Sequence, residues 1–357
     1  MLRPLALALR CLGLAAARRC RGRADADVAV AIALGMDWPK LRGFVASFRH
    51  FADPCATLAL LVEASPPSGL LGMLRAHRVL AVRVRAAWPF LDGAAARLPT
   101  SRLRELIPTH MAAPDPRRQN SLVILRHFLS EAWLEAGRSA SAAASGNASG
   151  PLAAGRPAGR SLLLLVDSVD VLFQADPFAT AAPLRQADEA WVFEEHPWRT
   201  LGECEFNREH LKPFGEFVQE QSLRASVVNS GVILGARGAV LRVVAAMRAL
   251  VRAFEGRELN DQGILNFLAR EPSARPWLPQ GLRVVPHGQG PVRNVGPELF
   301  PRWRTYAPGG VHVAAGGGGW PAVLGEGGQP AAMLHQYNRN ELLARLLLER
   351  WELAEGA

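Results

Sequence analysis

The sequence predicts an α/β protein with one mixed, mainly parallel sheet flanked by helices. Three features carry this. Val28–Leu34, Thr57–Val62 and Ser161–Val166 are unbroken apolar runs, the pattern of strands buried on both faces. Between the first two lies a segment of helical period, with Leu41, Phe44, Val45 and Phe48 on one stripe. Turn residues such as Gly35 and Gly69 punctuate the changes from one pattern to the next.

Taken in order, the elements are a strand at Val28–Leu34, a helix at Leu41–Phe51 and a strand at Thr57–Val62. A short helix at Gly69–His77 and a strand at Val79–Val84 follow. This β-α-β-α-β order predicts a doubly wound, Rossmann-like sheet with right-handed crossovers. Asn120 can cap a helix from Ser121 to Leu134, with Leu122, Leu125, Phe128, Leu129 and Ala132 as its apolar stripe. The apolar strand Ser161–Val166 comes next, then a strand at Val227–Gly235 and an amphipathic helix at Ala239–Phe254. Asn260 or Asp261 caps a helix through Ala269, Leu282–Val285 is a late strand, and Asn340 caps a final helix through Leu353. Residues 309–328 are glycine-rich and read as a loop.

The chain divides into a leader at 1–24 and one domain at 25–357, interrupted by a low-complexity stretch at 137–160. That stretch is almost all Gly, Ala, Ser, Arg and Pro, predicts a disordered surface insertion, and contains the glycosylation acceptor sequence Asn147-Ala-Ser149. The leader has six arginines, no acidic residue and an apolar core interrupted by Arg10. It suits a targeting segment or a signal anchor that tethers the chain to a membrane, although its apolar run falls short of the roughly 20 residues a spanning helix needs.

Charge and cysteine content exclude several classes. Of the formal +9, the leader's arginines supply +6, leaving +3 over the rest. This is no basic stripe, and a nucleic-acid partner is not expected. Cys55 and Cys204 stand far apart in no CxxC pair, which rules out a zinc ribbon or disulfide framework. Either one Cys55–Cys204 bridge or two unrelated buried thiols fits the spacing. A dinucleotide fold is disfavoured, because Gly35 is followed by Met36, Asp37 and Trp38 rather than by a glycine-rich phosphate loop.

The chemistry concentrates at Leu164-Leu-Val-Asp167-Ser-Val-Asp170-Val-Leu-Phe-Gln-Ala-Asp176-Pro-Phe178. Ligands of open α/β sheets bind at the carboxyl ends of strands. Two carboxylates placed there repel unless a cation joins them, and carboxylate oxygens suit Mg²⁺ or Mn²⁺. Alternatively, Asp167 and Asp170 simply cap the turn after the strand. Asp176-Pro-Phe reads as a turn. An Asp-nucleophile phosphotransferase would need its aspartates two apart and near the chain start, and neither holds. In Val227-Val-Asn229-Ser230-Gly231-Val-Ile-Leu-Gly235, a glycine within a strand predicts a bulge or a close approach by a ligand. Asp261 and Gln262 begin a helix, where Asp261 alone is an ordinary cap. His335-Gln-Tyr337 precedes the last helix, and His335 is either a metal ligand or an ordinary polar residue. The turn His287-Gly-Gln-Gly290-Pro291 can turn backbone N–H groups toward a phosphate.

These motifs, in this order, resemble nucleotide-diphospho-sugar transferases of the GT-A fold, with algal and protist members most similar. The likeness covers roughly residues 28–350 apart from the insertion. It implies a metal-dependent glycosyltransferase that uses Mn²⁺ or Mg²⁺, a UDP- or GDP-linked sugar donor and a glycan or glycoprotein acceptor. By the same resemblance, Asp167, Asp170 and His335 match the metal motif. Asn229, Ser230 and Gly231 match the strand facing the donor sugar. Asp261 and Gln262 match the helix start near the acceptor and the reacting carbon, and Gly290 and Pro291 the loop near the diphosphate. Arg118 or Arg126 would meet the nucleotide. Ser168 stands where many such enzymes carry their first Asp, so the ion would rest on Asp170 and His335 with Asp167 behind them. Asn338 replaces a common Asp. The alternative is a catalytically silent module that binds a glycan or protein partner. The resemblance also implies the Golgi or secretory-pathway lumen; the leader leaves plastid or mitochondrion open.

Overall fold

A computed structural model describes residues 26–84, 124–134 except 125 and 132, and 161–296 except 198, 255, 256 and 258. It also describes 313–315, 321–324 and 328–353 except 340. The leader, Arg118, Asn120, the 137–160 stretch with its Asn147 sequence, most of the 309–328 loop and the Asn340 cap lie outside these residues.

The apolar runs become strands β1 (Val28–Ile32), β2 (Thr57–Glu63), β3 (Leu80–Val84) and β4 (Leu162–Val166). Alternate side chains enter opposite cores, which is why the sequence shows no polar alternation. Val28, Val30, Leu61, Leu163 and Leu165 point into one core with Phe128, Val240, Ile264 and Phe267. Ala29, Ala31, Leu58, Leu60, Leu162 and Leu164 point into the other with Phe44, Phe48, Phe173 and Phe178.

Helices cover both faces. Helix α1 (Trp38–Phe51) starts earlier than the apolar stripe suggests, because Asp37 caps it by accepting from the Lys40 backbone and Pro39 fits its first turn. Helix α2 spans Leu70–Ala76, α3 Glu205–Leu211, α4 Arg237–Ala253, α5 Asp261–Arg270 and α6 Glu341–Leu353. Asp176 opens a one-turn helix at Pro177–Thr180 instead of a plain turn. The described residues between 124 and 134 are helical as expected.

The remaining strands are β5 (Val171–Phe173), β6 (Ala190–Glu194), β7 (Val228–Ala236), β8 (Leu282–Val285), β9 (Val292–Asn294), β10 (Val313–Ala315), β11 (Pro321–Val323) and β12 (Met333–His335). The large sheet has the order β3-β2-β1-β4-β7-β6-β8. Its pairings are parallel except that β7 runs antiparallel to both β4 and β6. The sheet is therefore mixed and mainly parallel, as predicted.

A small sheet, β5-β12-β9, sits beyond the end of β4. It is held by a third apolar cluster in which Leu172, Val295 and Leu334 meet Leu343, Leu347 and Trp351 of α6. Strands β4 and β5 are joined by residues 167–170 alone, so the acidic motif lies on a short link between the two sheets.

Cys204 is a buried free thiol. Cys55 is disulfide-bonded. The two therefore do not pair, and Cys55 is not the buried thiol that the alternative expectation allowed. Among the described residues no helix is long and apolar enough to cross a membrane.

Candidate metal centre

The centre forms where β4 ends. Asp167 follows Val166, and its backbone N–H donates to the Gly231 carbonyl at 2.9 Å, which fixes it beside β7. The chain turns at Ser168, whose buried hydroxyl donates to the Ile32 carbonyl at 2.6 Å. Ser168 thus ties the end of β1 to that of β4 and faces away from the acidic pair. Asp170 enters β5, which pairs antiparallel with β12 so that Val171 lies opposite His335. The Gln336 N–H donates to the Asp170 carbonyl at 2.8 Å. Sheet register, then, brings the late histidine onto the acidic motif.

Asp167, Asp170 and His335 each offer one ligand atom, and these atoms lie within 4.8 Å of one another. His335 Nε2 is 3.5 Å from an Oδ2 of each aspartate. At that length the contacts are electrostatic, and Nε2 is a buried nitrogen without a hydrogen-bond partner. Two carboxylates this close repel by roughly 3–4 kcal/mol at an effective dielectric near 20. Two oxygens and one unpartnered imidazole nitrogen facing each other form a donor set that fits a divalent cation. Burial would raise the Asp170 carboxyl. The facing His335 ring, with Arg339 and Arg126 nearby, more than offsets this and holds it below its ordinary range.

Gly231 makes room for this convergence. The β6–β7 register runs to Val192↔Ile233 and then jumps to Phe193↔Asn229, leaving Ser230, Gly231 and Val232 bulged from β6. A Cβ on Gly231 would overlap the His335 ring and lie 2.8 Å from Asp167 Oδ2. The bulge was expected; the group that needs the missing side chain is His335. Asn229 is occupied internally, donating to Glu195 Oε1 at 2.9 Å and accepting from the Gly231 N–H at 2.7 Å.

A second buried cluster adjoins the first. The helix at 124–134 turns Phe128 to the core, yet its polar side chains Arg126 and His127 are buried as well. Arg126 forms an ion pair from Nη1 to Asp167 Oδ1. From Nη2 it donates to Asp261 Oδ2 at 2.5 Å, Ser230 O at 3.0 Å and Ser230 Oγ at 3.2 Å. His127 Nε2 lies 3.2 Å from the same Asp261 oxygen and 3.2 Å from Arg126 Nε. One nitrogen cannot donate to the first and accept from the second. The charged carboxylate is the stronger partner, so Nε2 carries the proton. Burial, with the Arg126 charge beside it, lowers the His127 pKa below the ordinary imidazole value. Burial would raise Asp261, but Arg126 and His127 hold it well below the usual carboxylate range.

The remaining predicted residues are placed as follows. Asn260, not Asp261, caps α5, accepting from the Gln262 N–H at 2.9 Å, which frees the Asp261 carboxylate for Arg126. Gln262 donates to Asn207 Oδ1 of α3 at 2.8 Å. Gly290 takes φ +72, and a Cβ there would meet Val285, Phe193 and Trp191; the Pro291 carbonyl accepts from the Met333 N–H at 2.8 Å. Gly290 and Pro291 thus shape the entry to β9. Two residues at the site had no sequence signal. His127 lies off the apolar stripe of its helix, where periodicity gives no sign that a polar side chain is buried. Asn294, whose Oδ1 is 2.8 Å from His335 Nδ1, sits in a strand too short for any periodicity to mark.

No protein-family model matches the chain, and no curated protein matches it. Among solved structures it is similar to that of the WbbM bifunctional glycosyltransferase. The TM-score is 0.40 with 14% sequence identity, over 77% of this chain and 40% of that one. The chain thus spans well under half the length of that structure.

Proposed function

We propose that this chain is a metal-dependent glycosyltransferase. It would move a sugar from a UDP- or GDP-linked donor to a glycan or protein acceptor. One observation carries the reading: Asp167, Asp170 and the unpartnered Nε2 of His335 converge at the carboxyl end of a buried strand, where α/β sheets bind ligands. The ordered motifs that resemble GT-A transferases supply the reaction class. Asp167, Asp170 and His335 would hold the ion. Their mixed oxygen and nitrogen set suits Mn²⁺ better than Mg²⁺, which prefers oxygen alone. When bound, the ion supplies positive charge against the donor diphosphate.

The protein's own groups divide the remaining work. Arg126 neutralises Asp167 and Asp261 together, so the site keeps its shape without the donor. Asp261, stabilised in its charged form, is a weak proton acceptor. It suits steadying positive charge on the transferring sugar better than deprotonating the acceptor. The family resemblance favours the Golgi or secretory-pathway lumen, while the arginine-rich leader leaves plastid or mitochondrion open.

A screen of donor hydrolysis across UDP- and GDP-sugars with Mn²⁺ tests this. Turnover of one donor class is expected, and Asp170→Asn should remove it at saturating donor. Unchanged turnover in that variant would refute the metal assignment. The Arg126–Asp167 ion pair also favours a second reading, a silent module that binds a glycan or protein, because it neutralises one carboxylate without any ion. Such a module would show no coupling between Mn²⁺ and UDP in calorimetry.

A further inference from the structure

We propose that Asn294 is a positioning residue that fixes the tautomer of His335, so that Nε2 presents its lone pair to the two aspartates. This rests on reading Asp167, Asp170 and His335 as a metal centre. Strand β9 pairs parallel with β12, and the register sets Asn294 directly beside His335. The Val295 N–H donates to the His335 carbonyl at 3.0 Å and locks that register. Asn294 is 1% exposed, so its amide has only protein partners to choose from.

Its orientation follows from what each neighbour can do. The Glu194 backbone carbonyl only accepts, and it lies 2.9 Å from Asn294 Nδ2. The NH₂ end must face it. Oδ1 therefore faces His335 Nδ1 at 2.8 Å. An amide oxygen only accepts, so Nδ1 carries a hydrogen. A neutral imidazole has one N–H, which leaves Nε2 bare. That nitrogen is the buried atom without a partner, 3.5 Å from both carboxylates. A chain of single-purpose groups, from Glu194 O through Asn294 to His335, thus ends in a lone pair aimed at the acidic pair. Metal-bound histidines commonly have their second ring nitrogen held by such an acceptor.

Two measurements decide it. In ion-free, ¹⁵N-labelled protein above the titration range of histidine, long-range ¹H–¹⁵N spectra report the tautomer, with His335 identified by its loss in His335→Gln. Nδ1–H with bare Nε2 is expected; an Nε2–H tautomer would overturn the proposal. Calorimetry with Mn²⁺ then compares variants. Asn294→Leu, which keeps the shape and loses the acceptor, should weaken binding by about 10–100-fold. Asn294→Asp, which keeps an acceptor for Nδ1–H, should restore most of it. Wild-type affinity in Asn294→Leu would also overturn the proposal. A wild-type chain that binds no Mn²⁺ refutes the metal centre itself, while the tautomer still decides the role of Asn294. The tautomer measurement needs no variant at position 294, so a misfolded Asn294→Leu does not remove the test.

Discussion

Two buried histidines face aspartates within one site, and their surroundings differ in one respect. His127 and Asp261 sit with a guanidinium that closes their charge, leaving Asp261 with both an ion pair and a ring partner. His335 faces Asp167 and Asp170 across 3.5 Å with its Nε2 unpartnered. The first cluster carries its own cation; the second offers two carboxylates and a ring nitrogen, a donor set that fits one. Arg126 belongs to both, through Asp261 on one side and Asp167 on the other. The lesson is that burial of a carboxylate does not by itself mark a metal site. What marks it is a nitrogen lone pair left bare beside two acidic groups.

The sharpest way to break this contrast is to remove the shared cation. Arg126→Met leaves Asp261, 2% exposed, with only His127 and the Gln262 N–H as partners, and breaking such a buried pair costs about 3–5 kcal/mol. Denaturant unfolding should show that loss. His335→Ala should cost less: it loses the Nδ1–Asn294 hydrogen bond and the packing of the ring, but Nε2 has no hydrogen bond to lose. Similar losses in both variants would erase the distinction between a closed cluster and an open one.

A smaller effect sharpens the geometry. Gly231→Ala drives a Cβ into the His335 ring, and overpacking of this kind costs about 1–3 kcal/mol. Paired with His335→Ala, which vacates that space, the cost should fall. Unfolding measurements on both singles and the double variant give the coupling. An additive double variant would show that the bulge in β7 does not exist to admit the imidazole.

The sequence made some of this visible and hid the rest for physical reasons. β1, β2 and β4 were readable because both faces of each are buried, so every position is apolar apart from the ends of β2, Thr57 and Glu63. Gly231 announced a bulge, but not its cause, since the ring that needs the space belongs to a strand near the other end of the chain. The direction of β7 left no trace in composition. Arg126 was picked out by resemblance alone and His127 not at all, because helical period separates polar from apolar residues, not exposed polar residues from buried ones. Asn294 became visible only once the β9–β12 register was known. Asp261 looked like a helix cap, yet Asn260 takes that task and releases the carboxylate to Arg126.

The most direct test of the central claim is a Mn²⁺ titration followed by electron paramagnetic resonance, with UDP present, on the wild-type chain and Asp170→Asn. One bound ion per wild-type chain is predicted, with affinity weakened on the order of tenfold or more in the variant, a loss of about 1.4 kcal/mol or greater. Equal binding by both chains, or none by the wild type, would contradict the account.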